Sequence, residues 1–234
     1  MSRERFEQDA ATHAALFYPG TDVMVNLLGL RDSEELARAE RQLVEARTLQ
    51  LPPVEARQFD YHGFRDLHRH LFQDVYSWAG EERTYLTARG PAPFARPEYI
   101  RTWMDARFET LRAEGFLAVL DAHRFAWRAA EHVNEINACH PFVEGNGRVQ
   151  RAWLRLLAAE ANYEIEFRRK DIAAWNEASR KGFTDADHEP MARLIAARIF
   201  GEPVREEARR AAFLKSRSAG AEKNHCDRTS GRTR

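Results

Sequence analysis

The segment from residue 140 to residue 151 constrains the fold of this chain more than any other stretch. It reads His-Pro-Phe-Val-Glu-Gly-Asn-Gly-Arg-Val-Gln-Arg. Before it, apolar residues recur at steps of three and four from Ala118 to Ile136, which predicts a long helix that Pro141 ends. Apolar residues recur at the same spacing from Arg148 onward, which predicts a second helix. The segment is therefore expected to be a tight connection between two buried helices.

The middle of this connection has the composition of an anion-binding site. Gly145 and Gly147 flank Asn146, and glycine permits positive φ and close approach of a ligand to the backbone. Successive N–H groups at a helix N-terminus attract phosphate through their unpaired hydrogens and the helix dipole. Arg148 and Arg151 are three residues apart, so both can reach phosphate oxygens from one side of the helix.

The same segment contains a candidate acid and a candidate base. Glu144 can hold Mg²⁺, which proteins usually bind with one or two carboxylates plus substrate phosphates. His140 can accept the proton of a hydroxyl near neutral pH. Taken singly, each element has an ordinary explanation: Gly-Asn-Gly is a common turn, and helix arginines such as Arg155 are usually solvated. The joint spacing favours the functional interpretation.

The remaining pattern predicts a mostly α-helical fold. Helical spacing recurs in four further stretches, which start at Asp32-Ser33-Glu34-Glu35, run from Phe64 to Trp78, and cover Asp171 to Ser179 and Met191 to Phe200. Pro52-Pro53 should end the first of them. The stretch from Arg83 to Pro97 has the Thr, Tyr, Gly and Pro content of a short hairpin. His68 and His70, two apart on a helix, make a poor metal pair.

Composition limits the classes of function. With 36 basic and 36 acidic side chains, the chain has no net field that would attract nucleic acid or a membrane surface. No apolar run approaches the roughly 18 residues of a membrane span, and the start Met1-Ser2-Arg3-Glu4-Arg5 is too polar for a signal peptide. Cys139 and Cys226 do not form a disulfide framework, so we expect Cys139 to be buried and the location to be cytoplasmic.

The twelve-residue segment and its flanking stretches resemble a known protein family. Residues 140–151 match the signature of the Fic domain family, His-x-Phe-x-(Asp/Glu)-Gly-Asn-Gly-Arg-x-x-Arg, at every specified position. The flanking stretches resemble the same family, and more closely its bacterial toxin-like branch, over roughly residues 14 to 200. Those stretches are Tyr18 to Thr21, Leu27 to Gly29, Leu67 to Gly80, Pro93-Phe94, Pro97 to Ile100 and Glu135 to Asn137.

The resemblance implies a Fic-type helical bundle with a short β-hairpin flap over the active site. It divides the chain into a Fic domain with an N-terminal helical extension, residues 1–205, and a C-terminal helix end with a basic, disordered tail, residues 206–234. Lys215 to Arg234 carry six basic and two acidic side chains, in agreement with such a tail.

The resemblance also implies an activity, which is Mg²⁺-dependent transfer of AMP from ATP to a Tyr, Thr or Ser hydroxyl of a target protein, with release of pyrophosphate. His140 would be the general base and Glu144 the metal ligand. The phosphates would be bound by the group Gly145, Asn146, Gly147, Arg148 and Arg151, with Arg151 on the γ-phosphate. Phe142 would pack under the loop. Relatives that transfer other groups tend to alter Gly147 and Arg148, so their presence favours AMP transfer.

The flap and the regulation follow from the resemblance as well. The flap would align an extended target segment by main-chain pairing, with Arg89 and Gly90 as nucleotide contacts. A small antitoxin would restrain the enzyme, and a type II topoisomerase is the precedent for its target. Ser218 to Asn224 partly matches the family's inhibitory motif, so Glu222 on Arg151 is an alternative restraint. Two other functions stay open, an inactive Fic scaffold that serves as a binding module and a relative that transfers phosphate.

Overall fold

The chain folds as a mostly helical domain, as predicted. The computed structural model describes residues 10–51 and 59–201. Within them, residues 10–14 are helical, and the helices that follow are α1 Ser33–Leu49, α2 Tyr61–Phe72, α3 Pro97–Ala113, α4 Ala122–Cys139, α5 Asn146–Glu160, α6 Ile172–Thr184 and α7 Glu189–Ala196. The strands are β1 Ala88–Arg89, β2 Ala92–Pro93, β3 Tyr163–Ile165 and β4 Ile199–Gly201, and single 3₁₀ turns cover Gly115–Leu117 and Arg169–Asp171.

Aspartates start three of the helices. Asp32 accepts hydrogen bonds from Glu34 N and Glu35 N at 3.0 and 2.8 Å, so α1 begins where the sequence predicted. Asp60 and Asp121 cap α2 and α4 in the same way. Each carboxylate satisfies backbone N–H groups that have no partner inside the helix, and its negative charge lies at the positive end of the helix dipole.

Two helix boundaries differ from the sequence prediction. α2 ends at Phe72 and not near Trp78, and Asp74 in the following turn is held by two hydrogen bonds from Arg47 of α1, at 2.6 and 2.8 Å. α4 begins at Ala122 and not at Ala118, because Asp121 caps it there and the preceding turn contains a left-handed residue at Leu117 (φ 58°). Long-range pairing and a local cap thus outweigh the apolar periodicity.

The predicted helix from Met191 to Phe200 is also wrong in its second half. α7 ends at Ala196, and β4 pairs antiparallel with β3, which places Phe200 opposite Glu164. The sequence prediction contained only one hairpin, in Arg83 to Pro97, and β1 and β2 confirm that hairpin, with Arg89 opposite Ala92. Each strand of the additional pair has only three residues, too few for a period-2 pattern to be recognised.

α4 is the central helix, since it contacts α3, α5, α6 and α7. Its buried stripe contains Phe125, Ala129, Val133 and Ile136, each at most 1% exposed, in agreement with the predicted period. Cys139 at its end is buried and is not disulfide-bonded, as expected. None of the helices in the described part of the chain combines the length and apolarity that crossing a bilayer requires.

Several predictions concern residues outside the described ranges. These are the helix stop at Pro52-Pro53, the domain boundary after residue 205, the basic tail, and the alternative inhibitory residue Glu222.

Candidate active site

His140 stands at the C-terminal end of α4 in a left-handed backbone conformation, with φ 50° and ψ 62°. Its amide closes the last helical turn by donating to Ile136 O at 3.0 Å. Phe94, which follows β2, stacks on the imidazole with ring centroids 4.0 Å apart and an angle of 12° between the planes. The backbone turn and the aromatic ring therefore fix where the imidazole lies.

The imidazole is held in its neutral form. The pKa of His140 is lowered to about 3, mainly by burial and also by the nearby cations Arg89 and Arg83, whereas the backbone at Asn137 opposes the shift. Nδ1 has no hydrogen-bond partner that meets normal geometry. At neutral pH the ring is therefore deprotonated and has a nitrogen that can accept a proton, and its strength as a base increases as a bound substrate brings its pKa closer to neutral pH.

The loop after His140 is shaped by buried groups. Phe142 is fully buried and stacks on Phe64 and His68, with centroids 5.8 and 3.9 Å away, which agrees with its predicted packing role. The side chain of Asn146 donates to Phe142 O and accepts from Phe142 N, at 2.8 and 3.1 Å. These bonds close the loop and occupy the Asn146 amide, so only its backbone N–H remains available for a ligand.

The N-terminus of α5 is open for an anion. Gly145 caps the helix at φ +83°, and its N–H donates to Glu144 Oε1 at 2.8 Å. Arg148 N and Val149 N both donate to Gly145 O. The N–H groups of Asn146 and Gly147 have no acceptor within the described ranges. Two adjacent donors at the positive end of a helix are an arrangement that binds phosphate.

Arg148 is held between two carboxylates. It forms an ion pair with Glu40 of α1 and a second with Glu144 Oε1, at 3.2 Å. Glu40 also accepts a hydrogen bond from the Tyr76 hydroxyl. The guanidinium lies over the Phe72 ring, with its carbon 4.6 Å from the centroid. The orientation of Arg148 is thus fixed before any ligand arrives.

Arg151, in contrast, has no carboxylate within ion-pair distance in the part of the chain that the structure describes. It lies over Trp175, with its carbon 5.4 Å from the ring centroid. The pKa of Arg151 is lowered to about 10, mainly by desolvation and also by the neighbouring Arg148. Both arginines line a groove of about 390 Å³ between α1 and α5. A half-buried cation that has no ion-pair partner among the described residues is suited to bind an anionic ligand.

The donor set around Glu144 fits Mg²⁺ bound jointly with phosphates. Gly145 N–H and Arg148 occupy Oε1, while the side chain is 49% exposed and Oε2 forms no hydrogen bond with any residue in the described ranges. Among the described residues, no group of three or more His, Cys, Asp or Glu side chains could hold a metal by itself. One accessible carboxylate beside a phosphate site agrees with the usual coordination of Mg²⁺.

The two predicted flap contacts differ in their placement. Arg89 on β1 lies over Phe94, with its carbon 5.6 Å from the ring centroid, and is close enough to His140 to lower the pKa of the imidazole. Its Nη1 is buried without a hydrogen-bond partner. Gly90 forms the exposed turn at φ +60°, with no atom within 4 Å of the position of a Cβ. The structure therefore brings Arg89 to the base but does not place Gly90 against it.

His68 supports the loop, a role that sequence reasoning missed. Its Nδ1 accepts from Gly80 N and its Nε2 donates to Glu144 O, both at 2.9 Å. Because Gly80 N–H can only donate, the ring must be the neutral Nε2–H tautomer. Burial lowers the pKa of His68 to about 4. His70 Nε2 contacts Arg47 O instead, at 2.9 Å, so the two imidazoles bind different backbone groups.

Sequence signals existed for two of the three residues that were missed. His68 lies within the apolar stripe of α2, and Glu40 is four residues from both Leu36 and Val44, the buried residues of α1. A polar residue on a buried face needs a partner, so both could have been singled out. No such signal exists for Arg83, which is buried beside His140 but lies outside any regular element.

The site lies at one helix junction and combines an open helix N-terminus with two arginines and a neutral imidazole. These features define the class of protein: a helical domain for group transfer from a phosphate-bearing substrate. The chain belongs to the Fic/DOC family, whose model matches residues 58–158. It is 36% identical over 190 residues to a "Probable protein adenylyltransferase" of Sinorhizobium fredii, covering 81% of this chain and 97% of that protein. It is 35% identical over 167 residues to one of Escherichia coli, covering 70% and 82%. These relatives confirm the family resemblance and the enzyme class, protein adenylyltransferase.

Solved structures confirm the fold. The BepC effector of Bartonella tribocorum, crystallised with bound AMPPNP, superposes with a TM-score of 0.73 at 22% identity, covering 81% of this chain and 98% of that one. The N-terminal Fic domain of a Bartonella quintana effector, with bound ADP, gives a TM-score of 0.71 at 24% identity, covering 80% and 95%.

Proposed function

We propose that this chain binds Mg²⁺ and ATP and transfers AMP to a Tyr, Thr or Ser hydroxyl of a target protein, releasing pyrophosphate. The observation that carries the proposal is the placement of neutral His140 at the helix junction where the α5 N-terminus and Arg148 also lie. The adenylyltransferase names of the relatives and the nucleotides bound to the structural neighbours support it.

In the proposed reaction, the target hydroxyl oxygen attacks the α-phosphorus of ATP. The bond from that phosphorus to the oxygen bridging to the β-phosphate breaks, and His140 takes the hydroxyl proton. Asn146 and Gly147 N–H groups, with Arg148 and Arg151, bind the triphosphate and stabilise the charge that develops on the leaving pyrophosphate. Such transfers are catalysed mainly by positioning and charge neutralisation.

Glu144 would hold the Mg²⁺ ion, which neutralises phosphate charge when bound. Glu144 is already turned toward the phosphate site, because Gly145 N–H and Arg148 hold its Oε1. Among the described residues no hydrogen bond is formed to Oε2, so this oxygen is the one that would bind the metal.

The target would dock as an extended segment on the flap formed by β1 and β2. We further propose a bacterial cytoplasmic setting and restraint by a small antitoxin. An antitoxin carboxylate would find in Arg151 a cation without an ion-pair partner among the described residues. A type II topoisomerase is the proposed target, on the family precedent alone.

The test uses ATP labelled in parallel at the α- or γ-phosphate, with Mg²⁺ and bacterial lysate. We expect protein labelled from α-ATP alone, lost in His140→Ala and retained in His62→Ala, which removes an exposed imidazole of α2. Label from γ-ATP alone would show a phosphate-transferring relative. No label with purified, antitoxin-free protein would favour the inactive scaffold.

A further inference from the structure

Arg83 is a buried cation that the proposed reaction does not use. It is 2% exposed, and within the described ranges no carboxylate lies at ion-pair distance from its guanidinium. Burial lowers its pKa. A charge in such a place has to be satisfied by hydrogen bonds alone.

Those hydrogen bonds join two separate parts of the site. The guanidinium donates to two carbonyls at the end of α4, His140 O at 2.7 Å and Cys139 O at 3.0 Å. It also donates to Tyr85 O, at 2.8 Å, and to Ala95 O, which lie on the two arms of the flap. One side chain therefore bonds the helix that carries the base and both arms that lead into the hairpin.

Backbone groups extend the same connection. Arg83 N donates to Pro141 O at 2.9 Å, and Ala95 N donates to Ala138 O at 3.2 Å. Four consecutive carbonyls, from residue 138 to residue 141, thus receive their hydrogen bonds from two flap residues. The carbonyls of residues 138 and 139 are among those that the end of α4 leaves without intrahelical partners, and all four lie at the negative end of the α4 dipole. A cation is favoured there.

The connection also explains the backbone of the base. His140 is in the left-handed region, which non-glycine residues occupy only when their surroundings hold them there. The residues on both sides of it and its own carbonyl are bonded to Arg83. Phe94, next to Ala95 in the chain, stacks on its ring.

We infer that Arg83 is a positioning residue that couples the flap to the general base. Its guanidinium fixes the left-handed turn at His140. The same guanidinium fixes the distance between the flap and the imidazole. A target segment paired with the flap is then presented at a set distance from the base. The catalytic part of this inference rests on the proposed function.

Lysine cannot replace arginine in this arrangement, because an ammonium on a flexible stem lacks the planar fork that reaches four carbonyls at once. We therefore expect folded Arg83→Lys to bind ATP within about threefold of the unchanged protein but to transfer AMP about 100-fold more slowly at saturating ATP. Guanidinium ion at low millimolar concentration should restore part of the rate in Arg83→Ala and none in Arg83→Lys.

The control is Arg128→Lys, which alters a multiply paired arginine nearer the opposite end of α4, where it contacts Glu114 and Glu131. Its transfer rate should stay at the level of the unchanged protein. A purely structural role of Arg83 would lower the yield of folded protein but leave the rate per folded molecule unchanged, and that result would overturn the inference. Equal losses in ATP affinity and rate would also overturn it.

Hydrogen exchange in the unchanged protein tests the coupling without any activity. If the flap and the end of α4 form one cooperative unit, the backbone amides of Arg83 and Ala95 become accessible to exchange together. Their protection factors should then lie within about threefold of each other. A difference of about 100-fold would contradict the inference, even if Arg83→Lys fails to fold. If the unchanged protein transfers no AMP while the two amides agree, the proposed function fails and the structural coupling stands.

Discussion

The two glycines of the loop should respond in opposite ways to the same substitution. Gly145 has φ +83°, and a Cβ there would lie 2.3 Å from Cζ of the buried Phe72 ring. Gly147 is already inside α5, where a Cβ would meet the end of the Arg151 side chain at 3.3 Å and Trp175 Nε1 at an ordinary contact distance of 3.8 Å. Gly145 is therefore needed for folding, and Gly147 for binding of the ligand.

For Gly145→Ala the cost has two parts. A left-handed alanine costs about 1–2 kcal/mol, and forcing a methyl into a packed core costs about 1–3 kcal/mol, so unfolding should become easier by roughly 2–5 kcal/mol. Gly147→Ala replaces glycine by the best helix former, so stability should stay equal or rise by up to about 1 kcal/mol. Its ATP affinity should fall, because Arg151 has to move.

Urea unfolding followed by circular dichroism measures the difference, provided that the m values agree. Phe72→Leu, combined with Gly145→Ala in a double-mutant cycle, should recover about 1–2 kcal/mol of the loss, since it makes room for the methyl. If the two alanine variants have stabilities within about 0.5 kcal/mol of each other, the interpretation of the loop is refuted.

Three further predictions concern charge. The pKa of His68 is lowered to about 4, below the unfolded value near 6.5, so the unfolded chain binds more protons between these two values. The free energy of unfolding should therefore fall from pH 6.5 to pH 4, by about 3 kcal/mol from this group. The slope of the unfolding free energy against pH should flatten in His68→Gln, and an unchanged slope contradicts the assignment. Arg151→Met keeps the packing on Trp175 but removes a half-buried cation that has no ion-pair partner among the described residues, so it should raise stability by about 1 kcal/mol in urea and weaken ATP binding at least about tenfold in calorimetry. Phe94→Ala exposes His140, so the imidazole pKa, read by NMR, should rise toward 6.5; a value that stays near 3 would show that stacking does not control its burial.

The candidate site could be predicted from the sequence because its residues are neighbours in the chain. The segment from residue 140 to residue 151 carries the proposed base, the proposed metal ligand, the loop and the arginines within twelve residues, and local rules predict the helix end before it and the helix start after it. The boundary of α4 at Ala122 also has a local cause, the Asp121 cap, and could have been found.

The parts that could not be predicted depend on partners far away in the chain. The contact of Arg148 with Glu40 spans 108 residues, and the bonds of Arg83 to the end of α4 span 56 and 57. Periodicity shows which face a residue occupies but not which residue of another element it meets. For the same reason the pairing of β3 with β4 was missed, since three-residue strands gain their stability from each other and not from local propensity.

Three features that lower the stability of this domain lie close together at one helix junction. His140 is left-handed and neutral, Arg151 is half-buried without an ion-pair partner among the described residues, and the buried Arg83 guanidinium donates, within the described ranges, to backbone carbonyls alone. Each feature lowers stability, and each is needed if a base, a phosphate site and a target-binding flap must be held together. An inactive scaffold would gain nothing from an unpaired Arg151 or a deprotonated His140. The location of these destabilising features at the candidate active site therefore favours the transferase over the binding module.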